Sequence, residues 1–218
     1  MKYYIKNKLS IIGFLPVIDF IRKVPSFVKW INDGCSGIAP QPIKRIIIKS
    51  YLKNFKINNF IETGTHEGDT LAYIAADEKI LCTSIELSNF YFQKCKKRFK
   101  SYSNVILING DSGLEIKNQI KSIESPTLFW LDGHYSGGIT GKGALETPIS
   151  LELDSILNSD ITGHVILIDD ARCFTGFDDY PILETFLDKI RKNQKYDIEI
   201  SSDIIRLTPK IINIYPSN

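Results

Sequence analysis

The chain has 218 residues, 43% of them apolar, which fits one domain with a full core and a small appendage. Its formal charge is +2, from 27 basic and 25 acidic residues, so the overall balance gives no argument for nucleic acid or another polyanion as partner. Four cysteines (Cys35, Cys82, Cys95 and Cys173) form no C-x-x-C pair, which argues against a thiolate zinc or redox motif and suits a reducing cytoplasm.

In chain order, residues 1–42 read as an N-terminal helical extension and linker, ahead of a main domain at 43–218. The apolar stretch at 11–18 is short of the roughly 20 residues a membrane-spanning helix needs. No small-residue cleavage site follows it. Residues 18–30 have helical spacing, which suits an accessory helix packed on the domain or on a second subunit, or a helix resting on a membrane surface. Gly34, Gly37, Pro40 and Pro42 then mark a linker. A helix is expected over 43–55, with Ile46, Ile47, Tyr51 and Leu52 on its apolar face.

From there strands and helices alternate. Strands are expected at 59–63, 80–87, 105–109, 126–131 and 165–168. Helices are expected at 70–76, 88–99, 112–123, 148–157 and 180–191. The basic run Lys94-Cys95-Lys96-Lys97-Arg98 reads as a solvated helix face. Continuous apolar strands alternating with helices predict a parallel sheet covered on both faces. The end differs: strands at 196–200 and 204–207 are separated by only three residues, too few for a parallel crossover, so they form an antiparallel hairpin. The expected fold is α/β, a doubly wound sheet closed by that hairpin.

Three strands end in groups suited to chemistry, and ligands of open α/β sheets bind beyond the carboxyl ends of the strands. The first runs into Glu62-x-Gly64-x-x-x-Gly68, a tight strand-to-helix turn. There Gly64 lets backbone approach a ligand and Gly68 relieves crowding at the next helix. Thr65 and His66 lie inside the turn. The third glycine of a dinucleotide fingerprint is missing, and so is the Gly-Lys-Ser/Thr of a phosphate loop. The second strand ends at Glu86, placed to accept ribose hydroxyls. The third runs into Asn109-Gly110-Asp111-Ser112, suited to an adenine amine. The competing reading of Asp111 and Ser112 is a helix N-cap.

The series Glu62-x-Gly64-x-x-x-Gly68, Glu86, Asp111-Ser112, with the terminal hairpin, resembles the class I S-adenosylmethionine-dependent methyltransferases over about residues 43–210. The resemblance implies a seven-stranded sheet of order 3-2-1-4-5-7-6 with the last strand antiparallel. It implies S-adenosylmethionine as cofactor, with Glu62, Gly64, Thr65, His66 and Gly68 around the methionine part, Glu86 at the ribose, Asp111 and Ser112 at the adenine, and Asp132 alongside.

That order would bring Asp132, Asp169 and Asp170 together. Clustered carboxylates repel, and a divalent cation such as Mg²⁺ would relieve the repulsion. The arrangement is similar to the metal-dependent O-methyltransferases, both the catechol type and the macrocin type that act on sugar hydroxyls. It implies Asp132, Asp169 and Asp170 as metal ligands. Asp132-Gly133-His134 stands where the macrocin type carries Asp-Gly-Asp, so His134 falls at the position of that group's base, with Asp132 beside it. The alternatives are plain: Asp169 and Asp170 could cap a loop, and Asp132 could pair with Arg172. The glycine-rich loop 135–143 suits a lid, with Tyr135 and Lys142 as candidate substrate contacts. Arg172, Phe174, Asp178, Asp179 and Tyr180 are expected on the opposite rim. His164, just before the fifth strand, is expected to be structural. The implied acceptor is a sugar or glycosylated small molecule; the alternatives are a catechol-like acceptor and a nucleoside-binding module without turnover.

Overall fold

The structure, a computed structural model, describes residues 25–35, 37–133 and 147–210. Its sheet has seven strands: β1 (Asn59–Thr63), β2 (Leu81–Glu86), β3 (Val105–Asn109), β4 (Thr127–Leu131), β5 (Val165–Ile168), β6 (Tyr196–Ser201) and β7 (Ile204–Pro209). They lie in the order β3-β2-β1-β4-β5-β7-β6. The first five pair in parallel, and β7 runs antiparallel to both β5 and β6. This is the order the resemblance implies.

The helices are α1 (25–32), α2 (Gln41–Asn54), α3 (Asp69–Ala75), α4 (Asn89–Arg98), α5 (Ser112–Ser122), α6 (Ile149–Leu157) and α7 (Leu183–Asn193). Strand side chains alternate between the two faces, as the pleat requires. Ile61, Phe129, Leu131, Ile166 and Ile168 pack with α5, α6 and α7 on one face. Phe60, Leu128, Trp130, Val165 and Leu167 pack with α2, α3 and α4 on the other. Burial on both faces explains why these strands read as unbroken apolar runs.

Three features differ from expectation in instructive ways. Helix α7 starts at Leu183, not at residue 180. Pro181 disfavours helical backbone at Tyr180, and Asp178 and Asp179 both have positive φ, so the chain turns there first. A 3₁₀ turn at Ala171–Cys173, not expected from sequence, follows β5. In α2 the buried stripe is Lys44, Ile48 and Leu52, one residue per turn, while Ile46 is exposed. Of the expected apolar face, Leu52 is buried and Ile47 and Tyr51 pack partly buried against the core; Lys44 and Ile48 complete it in place of Ile46.

The register fixes the site. Thr63 pairs with Leu131 and with Ile85, Leu131 with Ile168, and Glu86 with Asn109. The next residues along, Gly64, Asp132 and Asp169, therefore emerge side by side on one edge of the sheet, with the tips of β2 and β3 beside them. Of the extension, α1 is described from residue 25 on; residues 1–24 lie outside the described residues. No helix among the described residues is long and apolar enough to cross a membrane. The division at residue 42 falls inside α2, which packs on the main core through Ile48 and Leu52.

Candidate active site

The glycine turn after β1 is shaped by close packing. Gly64 has φ 82°, and a Cβ there would lie 2.4 Å from the Asp132 carbonyl oxygen. Only glycine lets the tips of β1 and β4 approach this closely. Gly68, φ 75°, precedes α3; a Cβ there would meet Phe99 at 2.7 Å and Cys95 Sγ at 3.1 Å. His66 between them is exposed, adopts φ 49°, and sets its ring against Tyr91, tilted by 42° with centroids 4.4 Å apart.

Glu86 holds this turn in place. One carboxylate oxygen accepts the His66 amide and the other accepts the Ser88 amide, each at 2.7 Å. Each oxygen retains a further lone pair for a ligand hydroxyl. Behind the turn, Thr65 Oγ1 is 2.5 Å from Ser84 Oγ, which donates to Glu62 at 2.7 Å. Glu62 is buried, and desolvation pushes its pKa up to about 8, with the Ser84 hydrogen bond opposing. At the third tip Asp111 caps α5 by accepting the Gly113 amide at 2.9 Å. The capping reading of Asp111 thus describes its contact here.

Beneath the tips of β1 and β4 lies a cluster the motif reading missed. Gly133 packs over Thr63 and Ser112: a Cβ there would sit 3.1 Å from Thr63 Oγ1 and 3.2 Å from Ser112 Oγ. Both hydroxyls hydrogen-bond Glu152 of α6, which is buried and whose pKa desolvation raises to about 7. Its Oε1 has no hydrogen-bond partner among the described residues. Glu152 also lines a small open pocket, of about 10 Å³, with Asp132, Thr147, Ile149, Asp169 and Tyr180.

The acidic centre forms where expected: ligand oxygens of Asp132, Asp169 and Asp170 lie within 4.8 Å of one another. The Asp132 amide donates to Thr63 O at 3.3 Å, and the Asp169 amide to Leu131 O at 3.0 Å, so both aspartates ride on the sheet ladder. Asp170 adopts a left-handed conformation, φ 58° and ψ 47°, and its amide donates to Asp169 Oδ1 at 2.9 Å. Non-glycine residues held in that region concentrate at functional sites. Desolvation raises the pKa of Asp132 well above the usual carboxylate range, and the charges of Asp169 and Asp170 raise it further. Desolvation also raises that of Asp169, against the pull of Lys44.

Among the described residues, two cations brace the centre. Lys44, 4% exposed, places Nζ 2.6 Å from both oxygens of Asp169 and 3.8 Å from Asp170 Oδ1. Arg172 reaches Asp170 at 2.8 Å and also pairs with Asp203 in the β6–β7 turn. The pairing of Arg172 with Asp132 that the sequence left open is replaced by this bridge. Phe174, expected on a rim, is buried against Phe186 and Tyr180. His134, Tyr135 and Lys142 lie outside the described residues, as does the rest of the loop at 134–146. His164 accepts the Thr127 amide at Nδ1 and bonds Ser159 through Nε2, tying β4 to β5 at the far end of the sheet.

Lys44 and Glu152 are the site residues that sequence reasoning missed, and the same signal marks both. Lys44, Ile48 and Leu52 form one stripe, and Ile149, Glu152, Leu153 and Ile156 another. A charged residue at a core position of a helix is costly unless it is paired or neutral, so its presence flags a purpose.

No protein-family model matches the sequence, and neither does any curated protein sequence. Solved structures do match. The O-methyltransferase from Bacillus cereus in complex with SAH aligns with TM-score 0.59 and 13% identity over 87% of this chain and 91% of that one. The methyltransferase PaMTH1 from Podospora anserina, SAH-bound, gives 0.58 and 16% over 79% of this chain and 80% of that one. TomG from Streptomyces achromogenes, an O-methyltransferase involved in tomaymycin synthesis and in complex with SAM, gives 0.57 and 13% over 79% and 81%. With the strand order and the terminal hairpin, these alignments establish that the chain has the fold of the class I S-adenosylmethionine-dependent methyltransferases.

Proposed function

We propose that this chain is an S-adenosylmethionine-dependent O-methyltransferase that methylates a hydroxyl of a sugar or glycosylated small molecule. One observation carries the reading. The glycine turn, Glu86 and Asp111 lie at neighbouring strand tips, and Asp132 and Asp169 continue the same row. A donor along β1–β3 would then end beside the carboxylates. Glu62, Gly64, Thr65, His66 and Gly68 would surround its methionine part, Glu86 its ribose, and Asp111 and Ser112 its adenine. The acceptor class rests on the Asp-Gly-His and Asp-Asp elements and their likeness to the macrocin type.

The divalent ion implied by that likeness suits the donor chemistry, since three carboxylates offer oxygen ligands. It does not suit the arrangement of charge. Asp169, the middle ligand, is already clasped through both oxygens by Lys44. The residues as arranged do not fit a resident divalent ion, and the chemistry below uses the chain's own groups.

The acceptor hydroxyl would dock in the pocket beside Asp132 and Tyr180. Asp132, whose basicity is raised by burial, would take the hydroxyl proton; His134 next along is the other candidate base. The acceptor oxygen attacks the sulfonium methyl in line. The O–CH₃ bond forms as the S–CH₃ bond breaks, leaving S-adenosylhomocysteine, a methyl ether and a proton on the base. Most of the acceleration would come from orientation.

The test is calorimetry with S-adenosylmethionine, followed by a methyl-transfer screen over glycosides, sugar nucleotides and catechols. One-to-one cofactor binding with turnover on a sugar hydroxyl is expected. Turnover on catechols alone would move the acceptor class, and binding without any product would favour a nucleoside-binding module.

A further inference from the structure

We propose that the Lys44 ammonium is the permanent counter-ion of the Asp132–Asp169–Asp170 cluster and shuts a divalent metal out of it. This deepens the methyl-transfer reading, which concerns the same site, but its test is independent of turnover.

Geometry is the first argument. Nζ sits 2.6 Å from each oxygen of Asp169, on the line a metal would occupy if that carboxylate were a ligand. Magnesium needs its oxygens at about 2.0–2.1 Å, so an ion held by both oxygens would have to take the place of the ammonium, and Oδ1 also accepts the Asp170 amide. The lysine is also held from behind. Its amide donates to Pro40 O at 3.1 Å, and Ile48 and Leu52, one and two turns on, are sealed in the core, which keeps its Cα beside the centre.

Charge is the second argument. Of the two cations, Arg172 is half exposed and shared with Asp203, so Lys44 is the one buried against the carboxylates. A divalent ion held by Asp169 would be brought against the Lys44 ammonium, and desolvated like charges oppose each other strongly. Expelling Lys44 instead would break a buried pair made through both carboxylate oxygens. The fold thus supplies from α2 the positive charge that a metal would otherwise bring.

The experiment is a Mn²⁺ titration of the full chain followed by electron paramagnetic resonance, on wild type, Lys44→Arg, Lys44→Met and the double variant Lys44→Met/Asp169→Asn. Wild type and Lys44→Arg should show no saturable Mn²⁺ site up to millimolar concentration. Lys44→Met should gain a single site at least about tenfold tighter, and the double variant should lose it. A saturable micromolar Mn²⁺ site in wild type would overturn the proposal, and so would a folded Lys44→Met with no gain. Should Lys44→Met fail to fold, the wild-type titration decides alone: a saturable site sinks the proposal and its absence upholds it. Failure to bind S-adenosylmethionine in a parallel calorimetric run would sink the methyl-transfer reading while leaving the Mn²⁺ result to stand by itself.

Discussion

The two halves of the strand-tip row are stabilised by different means. Around β1, β2 and β3, the acidic groups are satisfied by nearby backbone or by a neighbouring strand: Glu86 by two amides, Asp111 by the amide two residues on, Glu62 by Ser84. Around β4 and β5, the acidic groups are satisfied by side-chain cations, one of them brought from far along the chain. Lys44 is 125 residues from Asp169, and Arg172, next but one to Asp170, ties it to Asp203, 31 residues beyond Arg172. The first half is a local device for shaping a turn. The second is a desolvated charge cluster that exists only once the fold is complete.

The largest test of this difference is removal of Asp169. Asp169→Ala strands the Lys44 ammonium in a buried site, and breaking such a pair typically costs about 3–5 kcal/mol. Urea denaturation should show that loss, while Lys44→Met/Asp169→Leu should recover most of it. A double variant as unstable as the single one would mean that the pair is not what holds this half together.

Titration comes next. Burial raises Glu62 to about 8 and Glu152 to about 7, from an ordinary 4.5. The folded state then binds more protons than the unfolded one across that range. The associated stability is fully present below pH 4.5 and is lost as pH rises through about 7 to 8. Each unit of difference corresponds to about 1.4 kcal/mol. Glu62→Gln and Glu152→Gln should each flatten the decline in a series of thermal melts, and an unchanged slope in both would show that these carboxyls do not titrate as described.

Smaller effects should separate the halves further. Gly64→Ala places a Cβ against the Asp132 carbonyl at a positive φ, a strain of about 1–3 kcal/mol, and should also weaken cofactor binding. Asp111→Ala removes a helix cap worth about 1 kcal/mol and should leave the acidic centre unchanged in the Mn²⁺ experiment.

This division also explains what the sequence could reveal. Strands β1, β3 and β5 begin and end where expected, although only β5 is an unbroken buried apolar run; β1 carries Glu62, and β3 lies partly exposed at the sheet edge. The tips of β1 to β3 were legible because their chemistry is local: a glycine, then a carboxylate at set spacing. The row Asp132, Asp169, Asp170 was legible as a cluster, since strand order places it. Its cation was not. Lys44 opens a stripe whose other members, Ile48 and Leu52, are apolar, and only the tertiary packing of α2 turns the lysine inward with them. Glu152 was missed likewise, although its place between Ile149 and Leu153 on a core stripe marked it. Helix α7 begins three residues later than its apolar spacing suggests because Pro181 disfavours helical backbone at Tyr180.

The most direct measurement is calorimetry of S-adenosylmethionine with the full chain in excess EDTA. Saturable one-to-one binding that is lost in Glu86→Ala and unaltered by added Mg²⁺ is the predicted result. No heat of binding, or binding that appears only once Mg²⁺ is supplied, would contradict a methyl-donor site whose acidic end carries its own cation.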